Sequence, residues 1–324
     1  MKEVNRRRLG VAVMLAFASA TCGAAEYPEK PVRIIVPSAP GGGTDTTMRI
    51  ISPKLGEVLG QRVLLDNRPG QSGNIGVEIA SRAAPDGYTL AAMIASNASN
   101  ASVMKTVPYN LERDFAPIAR IVTMPNVLTV HPSLPVRNVK ELVAFARARP
   151  AQIYYGSPGF GSTAHLAMEL LMSMTRIKMM HVPYKSGGAV FVAVQSGETP
   201  MTFGNIMSSL QHVKNGRLRA LGVTSLKRAG AAPDIPTIAE QGLAGYEANT
   251  WYGMLAPAAV PREIVLKLHK AVVTAANDPG VVKLFTDSGA DMSPSASPEE
   301  FGEVIRAEVK KWAVLVKTAG IVPE

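Results

Sequence analysis

Two stretches of this chain repeat one design. Arg33-Ile34-Ile35-Val36-Pro37-Ser38-Ala39-Pro40-Gly41-Gly42-Gly43-Thr44-Asp45 runs from a β-branched apolar segment through three glycines. Met48, Ile51, Leu55 and Val58 then keep helical spacing. An apolar run of this kind is a buried strand, and the spacing that follows is one helix face. Thr44 or Asp45 is placed to cap the first turn through a short side-chain oxygen. Ile153-Tyr154-Tyr155 likewise leads into Gly156-Ser157-Pro158-Gly159-Phe160-Gly161-Ser162-Thr163-Ala164-His165, and Leu166, Leu170 and Met174 resume helical spacing. Strand, glycine turn and helix N-terminus together make an anion site, because exposed N–H groups and the helix dipole both favour negative charge. Two such turns imply two lobes with a ligand between them.

The remaining elements alternate and so predict an α/β chain with parallel strand pairing. Arg62 to Asn67, Tyr88 to Ile94, Phe115 to Thr123, Asn126 to Val130, Lys178 to Tyr184, Met201 to Phe203 and Leu218 to Thr224 read as strands. Ala95 to Asn100 reads as a small polar loop, which puts Ser96 and Asn97 on the rim with the first turn. Lys185-Ser186-Gly187-Gly188 is a third glycine-rich helix start. The chain crosses to a second lobe near Pro125 and returns through Ala248 to Leu255, which carries Trp251 and Tyr252. Lobe 1 is expected over 26–123 and 250–324, and lobe 2 over 124–249. Ser297-Pro298-Glu299-Glu300 is a capping box that starts the last helix, with Phe301, Ile305, Val309 and Trp312 on one face.

Residues 1–25 read as an export signal. Lys2, Arg6, Arg7 and Arg8 precede an apolar run from Leu9 to Ala18, and small residues follow up to Ala25, the preferred cleavage point. The arginine triplet admits the twin-arginine route beside the general one. Cys22 is the only cysteine, so the processed chain would have no disulfide, thiolate nucleophile or thiolate metal site. Loss of four positive charges and Glu3 lowers the net charge from +9 to +6. That excess is spread among acids, without the dense basic patch that nucleic acid requires.

Catalytic readings are weak. Gly159-Phe160-Gly161-Ser162-Thr163-Ala164 has dinucleotide-turn spacing, but the next strand ends in Met180-His181-Val182-Pro183 and lacks the acid that would hold a ribose. The five histidines form no i,i+4 metal pair. Ser162 and His165, three apart at a helix start, are the one candidate nucleophilic pair, and no orienting acid stands near them in sequence.

Several motifs carry a resemblance. Tyr27-Pro28, Pro40-Gly41-Gly42-Gly43-Thr44-Asp45, Asn67-Arg68-Pro69-Gly70, Pro85-Asp86-Gly87-Tyr88-Thr89-Leu90 and Val130-His131-Pro132-Ser133 stand in order. Gly159-x-Gly161-Ser162-x-x-His165-Leu166, His181-Val182-Pro183-Tyr184-Lys185, Gly216-Arg217-Leu218-Arg219-Ala220-Leu221 and Trp251-Tyr252-Gly253 follow. In these the chain resembles the Bug receptors, the extracytoplasmic solute-binding components of tripartite tricarboxylate transporters. The resemblance implies a type II periplasmic-binding fold of two lobes, each a mixed, mostly parallel sheet flanked by helices, with two crossing strands as hinge. It implies a periplasmic monomer without cofactor or catalysis, which binds a di- or tricarboxylate, an amino acid or an aromatic acid and meets membrane transporter subunits transiently.

The expected ligand-binding set is Ser38, Pro40, Gly41, Gly42, Gly43, Thr44, Asp45, Ser96, Asn97, Ser157, Phe160, Gly161, Ser162, Thr163, His165, Tyr184, Lys185, Asn205 and Trp251. Backbone donors on one carboxylate are expected from Gly42, Gly43, Gly161 and Ser162. Phe160, bulky between two glycines, is expected to favour an apolar or aromatic distal group. A secreted hydrolase using Ser162 and His165, and an orphan sensor receptor, are the alternatives.

Overall fold

The structure, a computed structural model, describes residues 27–321 and 323. The proposed export signal and Cys22 lie outside the described residues.

Strands and helices alternate through the first part of the chain: β1 (Val32–Val36), α1 (Gly43–Leu59), β2 (Val63–Asn67), α2 (Asn74–Ser81), β3 (Thr89–Ile94), α3 (Ala95–Val103), α4 (Leu111–Asp114) and β4 (Phe115–Met124). The middle holds β5 (Asn126–Val130), α5 (Val139–Arg147), β6 (Tyr154–Ser157), α6 (Thr163–Thr175), β7 (Met180–Pro183), α7 (Gly187–Gln195), β8 (Met201–Asn205), α8 (Ile206–Lys214) and β9 (Arg219–Val223). The chain then returns through β10 (Thr250–Pro257), α9 (Arg262–Ala276), α10 (Pro279–Asp287), β11 (Asp291–Met292) and α11 (Pro298–Ala319).

Two sheets result. The six-stranded one has the order β11-β4-β10-β3-β1-β2, and the five-stranded one β7-β6-β8-β5-β9. Pairings of β1 with β2 and β3, and of β6 with β7 and β8, are parallel. All the others are antiparallel, because the crossing strands β4, β5 and β10 run against their neighbours. The parallel share is therefore smaller than the mostly parallel sheets expected from the sequence. Side chains of β1 are buried except at Arg33, which pairs with Asp66 on β2 at 2.5 Å.

The crossing is short. β4 ends at Met124 and β5 begins at Asn126, with Pro125 between. The Asn126 amide donates to the Ala248 carbonyl at 2.9 Å and to Thr250 Oγ1 at 3.3 Å, and so ties the outgoing strand to the returning one. Apolar side chains of α1, α9 and α10 fill one face of the six-stranded sheet; Ile35, Met93, Trp251, Phe301 and Ile305 fill the other. The second lobe has its own core around Tyr155, Leu166, Phe203 and Tyr246. Trp312, Leu315 and Val316 from the end of α11 enter that second core, so α11 bridges both lobes.

Ala95 to Asn100, read from the sequence as a loop, is the start of α3. Asn97 Oδ1 accepts the Ile94 N–H at 3.2 Å, and Ala95 and Ala98 lie in the core with Trp251. Small side chains here serve close packing of a buried helix, a role that hydropathy alone does not separate from a turn.

Candidate functional site

The first turn is built on a buried carboxylate. Gly41 turns at φ +79°, and the Gly42 N–H donates to the Ala39 carbonyl at 3.0 Å. Gly42 occupies the N-cap of α1 and no side chain caps it, so neither Thr44 nor Asp45 takes the capping role read from the sequence. Asp45, 1% exposed, instead reaches backwards. Its Oδ2 accepts the Gly41 N–H and Arg49 Nε at 2.8 Å each, and its Oδ1 accepts Asn67 Nδ2 at 2.9 Å. Asn67 also donates to the Ser38 carbonyl at 2.9 Å. Burial by itself would raise the Asp45 pKa; the hydrogen bonds from Arg49, Gly41 and Asn67 outweigh it and hold the carboxyl below its ordinary range. Asp45 is thus a strut that keeps the turn open, and Arg49 is committed to it.

The second turn rests on imidazoles. Gly159 and Gly161 have φ of +123° and +74°. Ser162 N–H donates to the Gly159 carbonyl at 3.2 Å, and Gly161 N–H to His165 Nδ1 at 3.3 Å. Ser162 Oγ caps α6 by accepting the His165 N–H at 3.3 Å. Ser157, fully buried, joins the turn by a bond to the Gly159 carbonyl at 2.9 Å and lies 2.6 Å from His181 Nε2. The His165 and His181 rings are 4.5 Å apart, with Phe160 against His165 at 4.6 Å and Tyr155 against His181 at 5.1 Å. Burial, with the neighbouring His181, lowers the His165 pKa to about 3, and burial lowers that of His181 to about 4. Burial raises the carboxyl of Glu169, which accepts the Tyr155 hydroxyl at 2.8 Å and lies 3.6 Å from His165 Nε2. Both imidazoles are neutral at pH 7, and His165 accepts at Nδ1 with its proton on Nε2.

Of the four donors read off the sequence, only Gly43 keeps a free N–H. Gly42, Gly161 and Ser162 spend their N–H groups inside the turns. The N–H groups of Gly43, Thr44 and Asp45 on α1, and of Thr163 and Ala164 on α6, have no hydrogen-bond acceptor among the described residues. The first turn thus offers three backbone donors at a helix start, and the second two.

Each turn is also held by contacts outside itself. Ser72 Oγ donates to the Phe160 carbonyl at 3.0 Å. A Cβ on Gly161 would lie 2.7 Å from Val103 and 3.2 Å from Asn100 Oδ1. Asn205, at the end of β8, donates to the Tyr252 hydroxyl at 3.3 Å, and that hydroxyl lies against Gly43, where a Cβ would overlap it.

Other expected residues have other surroundings. Trp251 is core, edge-on to Phe301 at 5.4 Å; its neighbour Tyr252 is the aromatic that meets the first turn. Tyr184 turns its hydroxyl to Thr199 Oγ1 at 2.5 Å and Glu198 at 3.0 Å. Lys185 is exposed, Pro40 is exposed, and Ser96 is buried on α3. Asn97 supports the 70–73 loop through a 3.4 Å bond to the Ser72 carbonyl. Ser38 Oγ is buried beside Gly42 with no partner among the described residues. Sequence reasoning missed Tyr252, Ser72 and Asn100. Period-2 alternation puts Trp251 and Tyr252 on opposite faces of one strand, and that signal was available.

The Ser162–His165 pair does not form a nucleophile and base. The imidazole Nδ1 accepts the Gly161 N–H, and only the backbone of His165 meets Ser162 Oγ. The described residues contain no group of three or more histidine, cysteine, aspartate or glutamate side chains that could hold a metal ion.

Residues 47–321 match the model of the tripartite tricarboxylate transporter family receptor. The chain belongs to this receptor family. Protein BugT of Bordetella pertussis is 32% identical over 96% of each chain. Among solved structures, R. palustris Rpa4515 with adipate is 34% identical with a TM-score of 0.87, over 92% of this chain and all of the other. MatC from Rhodopseudomonas palustris with bound malate is 27% identical with a TM-score of 0.83, over 90% of this chain and all of the other. The family is one of binding receptors rather than enzymes, and the two-lobed architecture is that of periplasmic binding proteins.

Proposed function

We propose that this receptor captures a small dicarboxylate in the cleft between its lobes and delivers it to membrane transporter subunits. The observation that carries the reading is the pairing of two glycine turns whose unpartnered N–H groups open from α1 and α6. A carboxylate at such a helix start gains about 0.3–1 kcal/mol from the dipole, and up to about 2 kcal/mol where partly buried. Ligand-bound relatives hold adipate and malate, which are both dicarboxylates. Gly43 and Thr44 would hold one end, and Thr163 and Ala164 a neighbouring oxygen directly or through water. Phe160, half-buried beside His165, supplies an apolar wall for the carbon chain. Gly41, Gly42, Asp45, Ser157, Gly161, Ser162 and His165 shape the two turns, and Asn205 with Tyr252 closes one side.

In this reading residues 1–25 direct export and are removed near Ala25, and the processed chain works as a monomer in the periplasm. Lobe 1 comprises 26–123 and 250–324, and lobe 2 124–249, with α11 lying across both. No described helix is long and apolar enough to cross a membrane. Thermal unfolding of ligand-free protein against mono-, di- and tricarboxylates, amino acids and aromatic acids tests the proposal. A dicarboxylate present at 100 times its dissociation constant adds about 2.7 kcal/mol, which raises Tm by a few degrees. No shift with any carboxylate contradicts the reading.

A further inference from the structure

The geometry points to Ser72 as a positioning residue that fixes the distance between the two ligand-holding turns. It sits in a run of four left-handed residues: Gly70, Gln71, Ser72 and Gly73 have φ of 130°, 46°, 52° and 90°. Two of the four carry side chains, for which this conformation is unfavourable, so the surrounding structure must hold it.

That support is visible. Gly73 N–H donates to the Gly70 carbonyl at 2.9 Å, and the Asn97 and Asn100 amides each donate to the Ser72 carbonyl at 3.4 Å. Asn100 in turn donates to Asn74 Oδ1 at 2.6 Å, which also accepts the Tyr109 hydroxyl at 2.7 Å. Gly73 and Gly76 approach Pro37 so closely that a Cβ on either would crowd it, at 3.2 Å and 2.9 Å. Pro37 leads directly into the first turn. The 70–73 loop and the first turn are therefore one platform.

From that platform the Ser72 hydroxyl reaches the Phe160 carbonyl in the centre of the second turn. Phe160 is followed immediately by Gly161, Ser162 and the N-terminus of α6. One hydroxyl thus ties the second turn directly to the platform of the first, beside the Gly161–Val103 and Asn205–Tyr252 contacts. The consequence for ligand binding rests on the receptor reading: with the register fixed, the α1 and α6 donors meet oxygens of one carboxylate together, and without it the second turn can swing away.

Ser72→Ala and Ser72→Gly test this together. Both remove the hydroxyl, and the glycine variant also relieves the left-handed backbone. Spin labels at R82C and K178C, exposed positions on the two lobes, report the interlobe distance in ligand-free protein. Both variants are expected to lose the short, narrow distance of the parent and to populate longer, broader ones. With adipate or malate as probe, the ligand off-rate is expected to rise about three- to tenfold, with a smaller change in on-rate. Unchanged distance distributions in both variants overturn the proposal. So does a change in the alanine variant that glycine abolishes, since backbone strain would then be the cause. If neither acid binds the parent protein, the dicarboxylate reading fails while the distance measurement still decides the role of Ser72.

Discussion

Gly43 is the residue where backbone and side chain meet most closely. A methyl group there would overlap the Tyr252 hydroxyl and tilt the first turn of α1. Gly43→Ala should lower Tm by several degrees and weaken ligand binding by about tenfold or more, by an overpacking cost of about 1–3 kcal/mol. Adding Tyr252→Phe, which removes the oxygen, should recover part of both losses in melting and binding measurements. The histidines under the second turn make a second residue-scale prediction. Their folded pKa values, about 3 for His165 and about 4 for His181, lie below the ordinary 6.5. Between these limits the unfolded chain binds the extra protons, so stability is full above pH 6.5 and falls as pH drops toward 4 and 3. Asp45, held below its ordinary pKa, adds a loss of the same sign at more acid pH. Glu169 is raised, so its contribution runs the other way and fades as pH increases. His165→Asn keeps an acceptor for the Gly161 N–H and removes one titration. Urea unfolding from pH 4 to 6.5 should give a shallower slope for that variant than for the parent.

Among the elements, α11 couples the lobes. Its first half packs Phe301 and Ile305 into the first lobe and its second half packs Trp312 into the core of the other. Trp312→Ala should cost about 3–5 kcal/mol in urea unfolding, a large fraction of domain stability. The last helix, both glycine turns and most strands were legible in the sequence, because capping boxes, glycine runs and β-branched segments are local signals. What was not legible depended on tertiary neighbours. Ala95 to Asn100 is small and polar enough for a loop, and becomes a helix because Trp251 covers its alanines. Val58 and Met174 fit the apolar spacing of their helices yet are 38% and 39% exposed, since spacing gives the period of a helix face and not its exact rotation. The candidate site was legible as two turns, while of its free donors only Gly43 was. Gly161 N–H is occupied by a histidine four residues on, and Gly42 N–H by a carbonyl three residues back; both follow from turn geometry that composition does not fix.

For the whole molecule, a short crossing at Pro125 and Asn249 joins the two bodies that carry the starts of α1 and α6. The described structure is closed at three points: Ser72 to Phe160, Gly161 to Val103, and Asn205 to Tyr252. The central claim is that one dicarboxylate sits between both turns. Titration calorimetry of ligand-freed receptor with adipate and malate tests it most directly when run beside Gly43→Ala, which alters the first turn, and Gly161→Ala, which alters the second. One saturable site per chain is expected for one of these acids, weakened by about tenfold or more in each variant separately. Saturable binding that neither substitution changes would contradict it.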